Sequence, residues 1–241
     1  MRDVRITADG APRDGTWRLP HDAAHYLVRV RRVAVGARVE VIDRDGTLWH
    51  GRLAFDDAAA TLVDVAEVLQ ADEPAQLVVA AALIKPARWD WMLEKVAELG
   101  ATHVQPLLVD RVAHPPLAER EASKRARWQA VCDAATRQCR RLHRCEVLPT
   151  RRLSDALGAI GPSIRLYHLD ECHPDAPWPG DAAIGPSALF IGPEGGFTTA
   201  ERQQLVEAGA AALGLGAALL RAETAAISAL ALVRLRRDAI L

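Results

Sequence analysis

Two glycine-containing segments near the C-terminus have the residue types of a ligand-binding site. The first is Leu189-Phe190-Ile191-Gly192-Pro193-Glu194-Gly195-Gly196-Phe197, an apolar strand pattern that runs into three glycines. Glycines at a strand end permit sharp turns and a close approach of the backbone to a ligand. The free N–H groups of a following helix could receive anionic or carbonyl groups. An ordinary strand-to-helix turn explains the spacing equally well.

The glycine spacing of this first segment differs from the nucleotide-binding fingerprints. It is not G-x-G-x-x-G, and no Lys follows the glycines as in a P-loop. It also lies near the C-terminus, whereas the dinucleotide fingerprint opens its domain. A nicotinamide or flavin enzyme is therefore disfavoured.

The second segment, residues 213–225, places three polar side chains in an otherwise apolar stretch. They are Arg221, Glu223 and Thr224, and polar groups in such surroundings need partners. One interpretation is a helix start, where Glu stabilises the positive end of the helix dipole and Thr caps the helix. The other is a ligand-binding loop with an apolar floor.

Positive charge is concentrated between residues 124 and 152, where only Asp133 and Glu146 oppose it. The basic residues are Lys124, Arg125, Arg127, Arg137, Arg140, Arg141, Arg144, Arg151 and Arg152. Phosphates are the natural partner of such a cluster, although a solvated helix face is the usual meaning of a charge run. Near the N-terminus, Arg29, Arg31 and Arg32 lie beside His25 and Tyr26, a combination that suits single-stranded RNA.

A third charged stretch, residues 85–100, has its charges opposite an apolar stripe at helical spacing. Its charged members are Lys85, Arg88, Asp90, Glu94, Lys95 and Glu98. Ion pairs between residues one helical turn apart are the default explanation of such a surface.

The hydrophobic pattern predicts the elements that position these residues. Residues 1–72 show strand-like alternation, with a hairpin turn at Asp45-Gly46, which predicts a small barrel or sandwich. Residues 71–75 are the candidate linker. Beyond it, predicted strands alternate with predicted helices, the strands at 77–84, 103–108, 164–169, 188–191 and 211–215, and the helices at 88–99, 119–141, 199–209 and 223–237. This alternation predicts a mostly parallel sheet covered by helices, and thus domains at 1–72 and 73–241.

Bulk composition sets the remaining expectations. The chain has 241 residues and a formal net charge of −1, so binding to nucleic acid would depend on local charge. We expect neither a signal peptide nor a membrane span, and we expect the four cysteines to be reduced thiols of a cytoplasmic protein. Their spacing does not predict a metal site.

Together, these stretches resemble the bacterial 16S rRNA uracil-N3 methyltransferases of the RsmE type, a branch of the SPOUT superfamily. The resemblance covers almost the whole chain. It rests on His25-x-Leu27-x-Arg29-Val30-x-Arg32, Gly36, Lys85, Asp90, Lys95-x-x-Glu98-Leu99-Gly100, Gln138-x-x-Arg141, Ile191 to Phe197, Glu201, and Leu215-Gly216-x-x-Leu219-Leu220-Arg221-x-Glu223-Thr224-Ala225. The chain departs from the family pattern at Arg137, Cys145 and Ala218.

The resemblance implies a fold, a cofactor and a partner. The expected fold is an N-terminal PUA-like β-barrel that helps to hold RNA, followed by a SPOUT-type α/β domain with a trefoil knot. The cofactor is S-adenosylmethionine, and the partners are 16S rRNA of the small ribosomal subunit and a second copy of the chain in a homodimer. The expected cofactor-binding residues are Leu189, Ile191, Gly192, Pro193, Glu194, Gly195, Gly196, Leu215, Gly216, Leu219, Leu220, Thr224 and Ala225.

The expected chemistry is methylation of uracil N3, which must first lose its proton. We expect Arg221 and Arg141 to supply positive charge, and Glu194 or Glu223 to accept the proton, unless each Glu is only a structural partner of a backbone N–H. The expected RNA-binding residues are His25, Arg29, Arg32, Lys85, Lys95, Lys124, Arg137, Arg140 and Arg141. Two alternatives stand beside this hypothesis: a non-catalytic RNA-binding or ribosome-assembly protein, and a nucleotide-dependent metabolic enzyme.

Overall fold

The computed structural model describes residues 3–56, 59–70, 72, 74–112, 120–178 and 185–238. The chain divides into two compact units, one of Met1–Pro74 with Thr136–Arg144, the other of Ala75–Ala135 with Cys145–Leu241. The first division lies close to the domain boundary predicted at residues 72 and 73. The sequence did not predict that Thr136–Arg144 belongs to the first unit. Two residues of the predicted linker, Ala71 and Glu73, lie outside the described residues.

The first unit is built on a five-stranded sheet in the order β1-β3-β4-β5-β2. Its elements are β1 (Val4–Thr7), β2 (Trp17–Arg18), α1 (His21–His25), a π-helix (Tyr26–Val30), β3 (Arg38–Ile42), β4 (Thr47–Asp56) and β5 (Ala59–Gln70). The predicted hairpin turn is confirmed, because β3 pairs antiparallel with β4 and Gly46 between them has φ +81°. Alternate strand residues such as Val39, Val41 and Leu62 are fully buried and form the core of this unit.

The second unit contains a parallel sheet in the order β12-β10-β11-β6-β7-β8, with β9 also paired to β7. Its elements are β6 (Leu77–Ala82), α2 (Pro86–Leu99), β7 (His103–Leu108), α3 (Glu121–Cys139), β8 (Glu146–Val147), β9 (Arg151–Arg152), α4 (Leu153–Ala159), β10 (Arg165–Leu169), β11 (Ser187–Ile191), α5 (Thr199–Glu207), β12 (Ala211–Leu213) and α6 (Ala222–Asp238). From Thr136 onward, α3 belongs to the first unit.

Helices cover both faces of this parallel sheet, which confirms the predicted fold class. One buried cluster joins the sheet to α2, α3 and α6 through residues such as Trp89, Trp128 and Leu230. A second cluster joins the opposite face to α4 and α5 through Leu153, Phe190 and Leu205. The central strands are buried on both faces, which is why residues 77–82 are continuously apolar.

The last helix returns from the edge of the sheet to its centre. Strand β12 is at one edge, yet α6 packs against α2 and contacts β6 and β11. A trefoil knot would need this return path, and the knot itself stays a prediction from the family resemblance. As predicted, Gly100 ends α2 in the left-handed conformation, with φ 109°.

Candidate active site

A cavity of about 330 Å³ lies at the carboxyl ends of β10, β11 and β12. Loops that follow neighbouring parallel strands converge at that edge of a sheet, which is where α/β proteins bind ligands. The residues that line the cavity are Leu169, Asp170, Glu171, Pro174, Ile191, Gly192, Pro193, Glu194, Gly195, Gly196, Leu213, Leu215, Gly216, Ala217, Ala218, Leu219, Leu220, Ala222 and Ala225.

The first glycine loop, residues 191–196, turns so tightly that a side chain is disfavoured at Gly192 and Gly196. A Cβ atom added to Gly192 would lie 3.1 Å from the backbone N of Phe197 and 3.2 Å from the carbonyl carbon of Gly196. Gly196 has φ +66°, a conformation that side chains disfavour. Gly195 is less restricted, because a Cβ there would meet only the flexible Arg111 side chain, at 3.2 Å.

Helix α5 holds the end of this loop through a capping box, as predicted. Thr198 accepts from the backbone N–H of Glu201, and Glu201 Oε2 accepts from that of Thr198 at 2.8 Å. The other oxygen, Oε1, accepts from the backbone N–H of Asp110 at 2.8 Å, and Arg111 donates to the Gly195 carbonyl. The buried Glu201 carboxylate therefore links the loop to the segment after β7.

The second glycine loop, residues 215–220, and the residue before it are hydrogen bonded to the segment that follows β10. Backbone N–H groups of Gly214 and Gly216 donate to the carbonyls of Ala176 and Pro174, at 3.0 and 3.1 Å. A Cβ at Gly214 would collide with the backbone of Pro174. Trp178 Nε1 donates to the Gly214 carbonyl at 2.7 Å. The loop is thereby fixed on one side.

Sequence reasoning missed the segment after β10 as part of the cavity. The sequence analysis named no site residue there, yet Asp170, Glu171 and Pro174 line the cavity, together with Leu169 at the end of β10. The available signal was topological: β10 lies between β11 and β12, so its carboxyl end must adjoin both glycine loops.

This segment places two paired carboxylates at the cavity. Burial alone would raise the pKa of Asp170, but hydrogen bonds with His173, at 2.7 Å, and from the backbone N–H of Cys172, at 3.0 Å, hold that pKa below its usual value. Asp170 is therefore ionised at neutral pH. Oε1 of Glu171 lies 3.4 Å from Nη1 of Arg202 in α5, so this carboxylate is paired as well.

Eleven of the thirteen expected cofactor-binding residues line the cavity. The two that do not are Leu189, which is fully buried within β11, and Thr224, which is half-buried in the first turn of α6. The lining residues that the expectation lacked are Leu169, Asp170, Glu171, Pro174, Leu213, Ala217, Ala218 and Ala222.

The expected catalytic residues occupy different surroundings. Glu194 lines the cavity, whereas Glu223 is buried and does not line it. Arg221 is exposed, between the lining residues Leu220 and Ala222. Arg141 belongs to the first unit, so its expected action together with Arg221 stays a prediction.

Several arginines of the basic stretch at residues 124–152 contact other side chains and backbone carbonyls of the protein itself. Arg140 donates to Glu40 and to the Asp3 carbonyl, both at 3.3 Å, while Arg137 lies 5.0 Å from the Tyr26 ring centroid and donates to Thr7. These contacts explain why Thr136–Arg144 folds with the N-terminal strands. Arg127 pairs with Asp90 of α2.

The arginines at the end of the π-helix have a different environment. Arg29, Arg31 and Arg32 are exposed, and among the described residues no carboxylate forms an ion pair with them. His25 is also exposed and stacks on His21, with 6.4 Å between the ring centroids.

The three lysines expected to contact RNA all lie in the second unit. Lys95 donates to Glu94 at 2.7 Å and to Glu98 at 3.0 Å, and these hydrogen bonds raise its pKa. A phosphate would therefore compete with two carboxylates for Lys95. Lys85 is exposed at the N-cap of α2, and Lys124 is half-buried on α3.

Within the described ranges, no group of three or more His, Cys, Asp or Glu side chains could hold a metal ion. No described helix is long and apolar enough to cross a membrane. The four cysteines, Cys132, Cys139, Cys145 and Cys172, are free thiols.

Comparison with protein families matches both parts of the chain. Residues 71–234 match the model of an RNA methyltransferase domain, and residues 19–58 match that of an RNA methyltransferase PUA domain. The ribosomal RNA small subunit methyltransferase E of Synechocystis is 30% identical over 215 residues, which cover 86% of this chain and 69% of the relative.

Two solved structures have the same fold over nearly their whole length. The ribosomal RNA small subunit methyltransferase E of Neisseria gonorrhoeae, bound to S-adenosylmethionine, has 26% identity and a TM-score of 0.83, with 97% of this chain and 98% of that one covered. A methyltransferase of Legionella pneumophila, in complex with the same cofactor, has 26% identity and a TM-score of 0.82, with 98% of both chains covered.

Proposed function

This chain belongs to the RNA methyltransferase family, and we propose that it transfers a methyl group from S-adenosylmethionine to N3 of a specific uridine in 16S rRNA of the small ribosomal subunit. The observation that carries the proposal is the pair of glycine loops around one cavity. The glycines let the backbone turn tightly at the cavity. The fold of this chain also matches that of a structure bound to S-adenosylmethionine.

The cavity suits the chemistry of S-adenosylmethionine. Apolar side chains such as Leu215, Leu220 and Ala225 offer a surface for the adenine ring, and the loop backbone offers polar groups for the ribose and the amino acid part. The ionised Asp170 complements a cationic ligand. Bound there, the cofactor would supply an activated methyl group, and the protein would have to align the uracil with it.

The protein must also manage the proton on uracil N3. Of the two candidate acceptors, Glu194 is better placed, because it lines the cavity and Glu223 does not. Arg221 would stabilise the uracil anion, since it is exposed and follows the lining residue Leu220 directly in the chain.

We expect Glu194→Gln to lower kcat by about 10²-fold, the lower end for a lost general base, because water could still take part of the proton flux. The measurement is turnover at saturating S-adenosylmethionine. The matched control is Glu207→Gln, an exposed position at the end of α5, which should leave kcat unchanged. Full activity of Glu194→Gln would remove this residue as the acceptor.

For RNA binding, we place the main phosphate contact on Arg29, Arg31 and Arg32 of the N-terminal domain, which we assign to residues 1–72. Their exposure and lack of described ion-pair partners support this choice, and His25 adds a ring that could stack on a base. Residues 73–241 would form the catalytic domain. Arg137 and Arg140 would act mainly by holding the first unit together.

We expect the triple variant Arg29→Gln, Arg31→Gln, Arg32→Gln to reduce the slope of log affinity against log salt concentration by about 2, since each lost phosphate contact removes about 0.7 for single strands. Fluorescence anisotropy with a small-subunit RNA fragment measures it. The double variant Arg137→Gln, Arg140→Gln should instead lower the melting temperature with little change in slope. An unchanged slope in the triple variant would contradict the assignment.

Family resemblance further supports a homodimer that works in the cytoplasm, with the partner chain completing each site. The experiment that tests the proposed activity measures incorporation of a labelled methyl group into naked 16S rRNA, assembled small subunits and large subunits. We expect incorporation with naked 16S rRNA, with assembled small subunits or with both, and none with large subunits. Incorporation only into large subunits, or none at all, would contradict it.

A further inference from the structure

We propose that Arg88 is a positioning residue that joins the two halves of the cofactor site, an inference that rests on the proposed function. Arg88 lies in the first turn of α2. The sequence pattern suggested that its charge is balanced within that helix. In the structure it faces carboxylates from two other elements.

The guanidinium of Arg88 bridges the two glycine-loop regions. Its Nη1 atom lies 3.4 Å from Glu194 Oε1 in the first glycine loop. Its Nε atom lies 3.6 Å from Oε1 of Glu223, which follows the second glycine loop in the first turn of α6. The packing of α6 against α2 brings these groups together.

Glu223 depends strongly on this contact. Its side chain is only 5% exposed, and its Oε2 atom has no hydrogen-bond partner among the described residues. A buried carboxylate without a nearby cation is unfavourable, and a second carboxylate close by adds repulsion. Removing Arg88 would therefore displace the start of α6, where Ala222 and Ala225 line the cavity.

The same contact holds Glu194. This residue is flanked by Pro193 and Gly195, so its side chain is the one charged group through which the loop can be tied to α2. A single planar guanidinium can serve both carboxylates at once, which the point charge of a lysine cannot do in the same geometry. Arg88 thus sets the separation of the two loops.

The test is calorimetric titration of S-adenosylmethionine into the wild type, Arg88→Met, Arg88→Lys and Glu223→Gln. We expect Arg88→Met to raise Kd about tenfold or more, because the displaced loops would lose hydrogen bonds to the cofactor. Arg88→Lys should fall between it and the wild type. The matched control is Arg127→Met, which removes the partner of Asp90 on the same helix without touching either loop. Its Kd should equal that of the wild type.

A double-mutant cycle separates positioning from general loss of stability. In Arg88→Met with Glu223→Gln, no buried charge is left unpaired, so the combined loss of affinity should be smaller than the product of the single losses. Wild-type affinity in Arg88→Met, or independent effects in the cycle, would overturn the inference and leave the proposed function standing. If Arg88→Met does not fold, the affinities of Glu223→Gln and Arg88→Lys for S-adenosylmethionine test the inference instead. Wild-type affinity in both variants would overturn the positioning role of Arg88. Failure of the wild type to bind the cofactor would overturn the proposed function and this inference with it.

Discussion

The Gly192→Val variant should fold and lose its affinity for S-adenosylmethionine by about 10³-fold. A Cβ at this position would lie 3.1–3.2 Å from backbone atoms of Gly196 and Phe197, and backbone cannot rotate away as a side chain can. The loop must therefore open. Overpacking of this kind costs about 1–3 kcal/mol, and each hydrogen bond to the cofactor that the opened loop loses costs about 0.5–1.5 kcal/mol more.

Isothermal titration with the cofactor measures this effect, with the melting temperature as a check on folding. Gly158→Ala on α4 is the matched control, because a Cβ there meets nothing within 4 Å. Gly195 is a weaker test than Gly192, since its added side chain would meet only Arg111. Cofactor affinity retained in Gly192→Val would exclude this loop as the binding site.

The Arg221→Met variant should lose about 10³-fold in kcat and keep its affinity for S-adenosylmethionine. Arg221 is exposed between the lining residues Leu220 and Ala222, and its positive charge would act on the uracil anion, which forms only after the N3 proton leaves. Loss of one such stabilising group typically costs 10²–10³-fold in kcat. Single-turnover kinetics at saturating cofactor and RNA isolates the step.

Arg165→Met is the matched control for Arg221→Met. Arg165 opens β10 at its amino end, whereas the cavity lies beyond the carboxyl end of the same strand. We expect its kcat to match the wild type. A fall in kcat of less than about threefold in Arg221→Met would assign charge stabilisation to another residue.

The family resemblance predicted that the two glycine loops share one cofactor site, and the alternating strands and helices predicted the parallel sheet whose strands end at the edge where they lie. Local signals were equally reliable: the turn at Asp45-Gly46, the glycine after α2 and the capping box of Thr198 and Glu201 are all in the structure. Each depends on residues within a few positions of one another.

Contacts between distant residues could not be predicted. Arg88 matched an intrahelical ion-pair pattern, but its partners, Glu194 and Glu223, lie more than 100 positions away. The charge run predicted a phosphate-binding surface that includes Arg137 and Arg140. In the structure, Arg137 lies over the Tyr26 ring and Arg140 donates a hydrogen bond to Glu40. A run of basic residues in a sequence shows that positive charges are present. It does not show whether carboxylates or aromatic rings of the same protein pair with them.

The identity of the methylated nucleoside tests the proposed uracil-N3 methylation most directly. Small ribosomal subunits lacking the modification would be incubated with the protein and methyl-labelled S-adenosylmethionine, and the digested RNA analysed by mass spectrometry. We expect label in N3-methyluridine, from one site in 16S rRNA, and none with Gly192→Val. Label in another nucleoside, or no label from a folded protein that binds the cofactor, would contradict it.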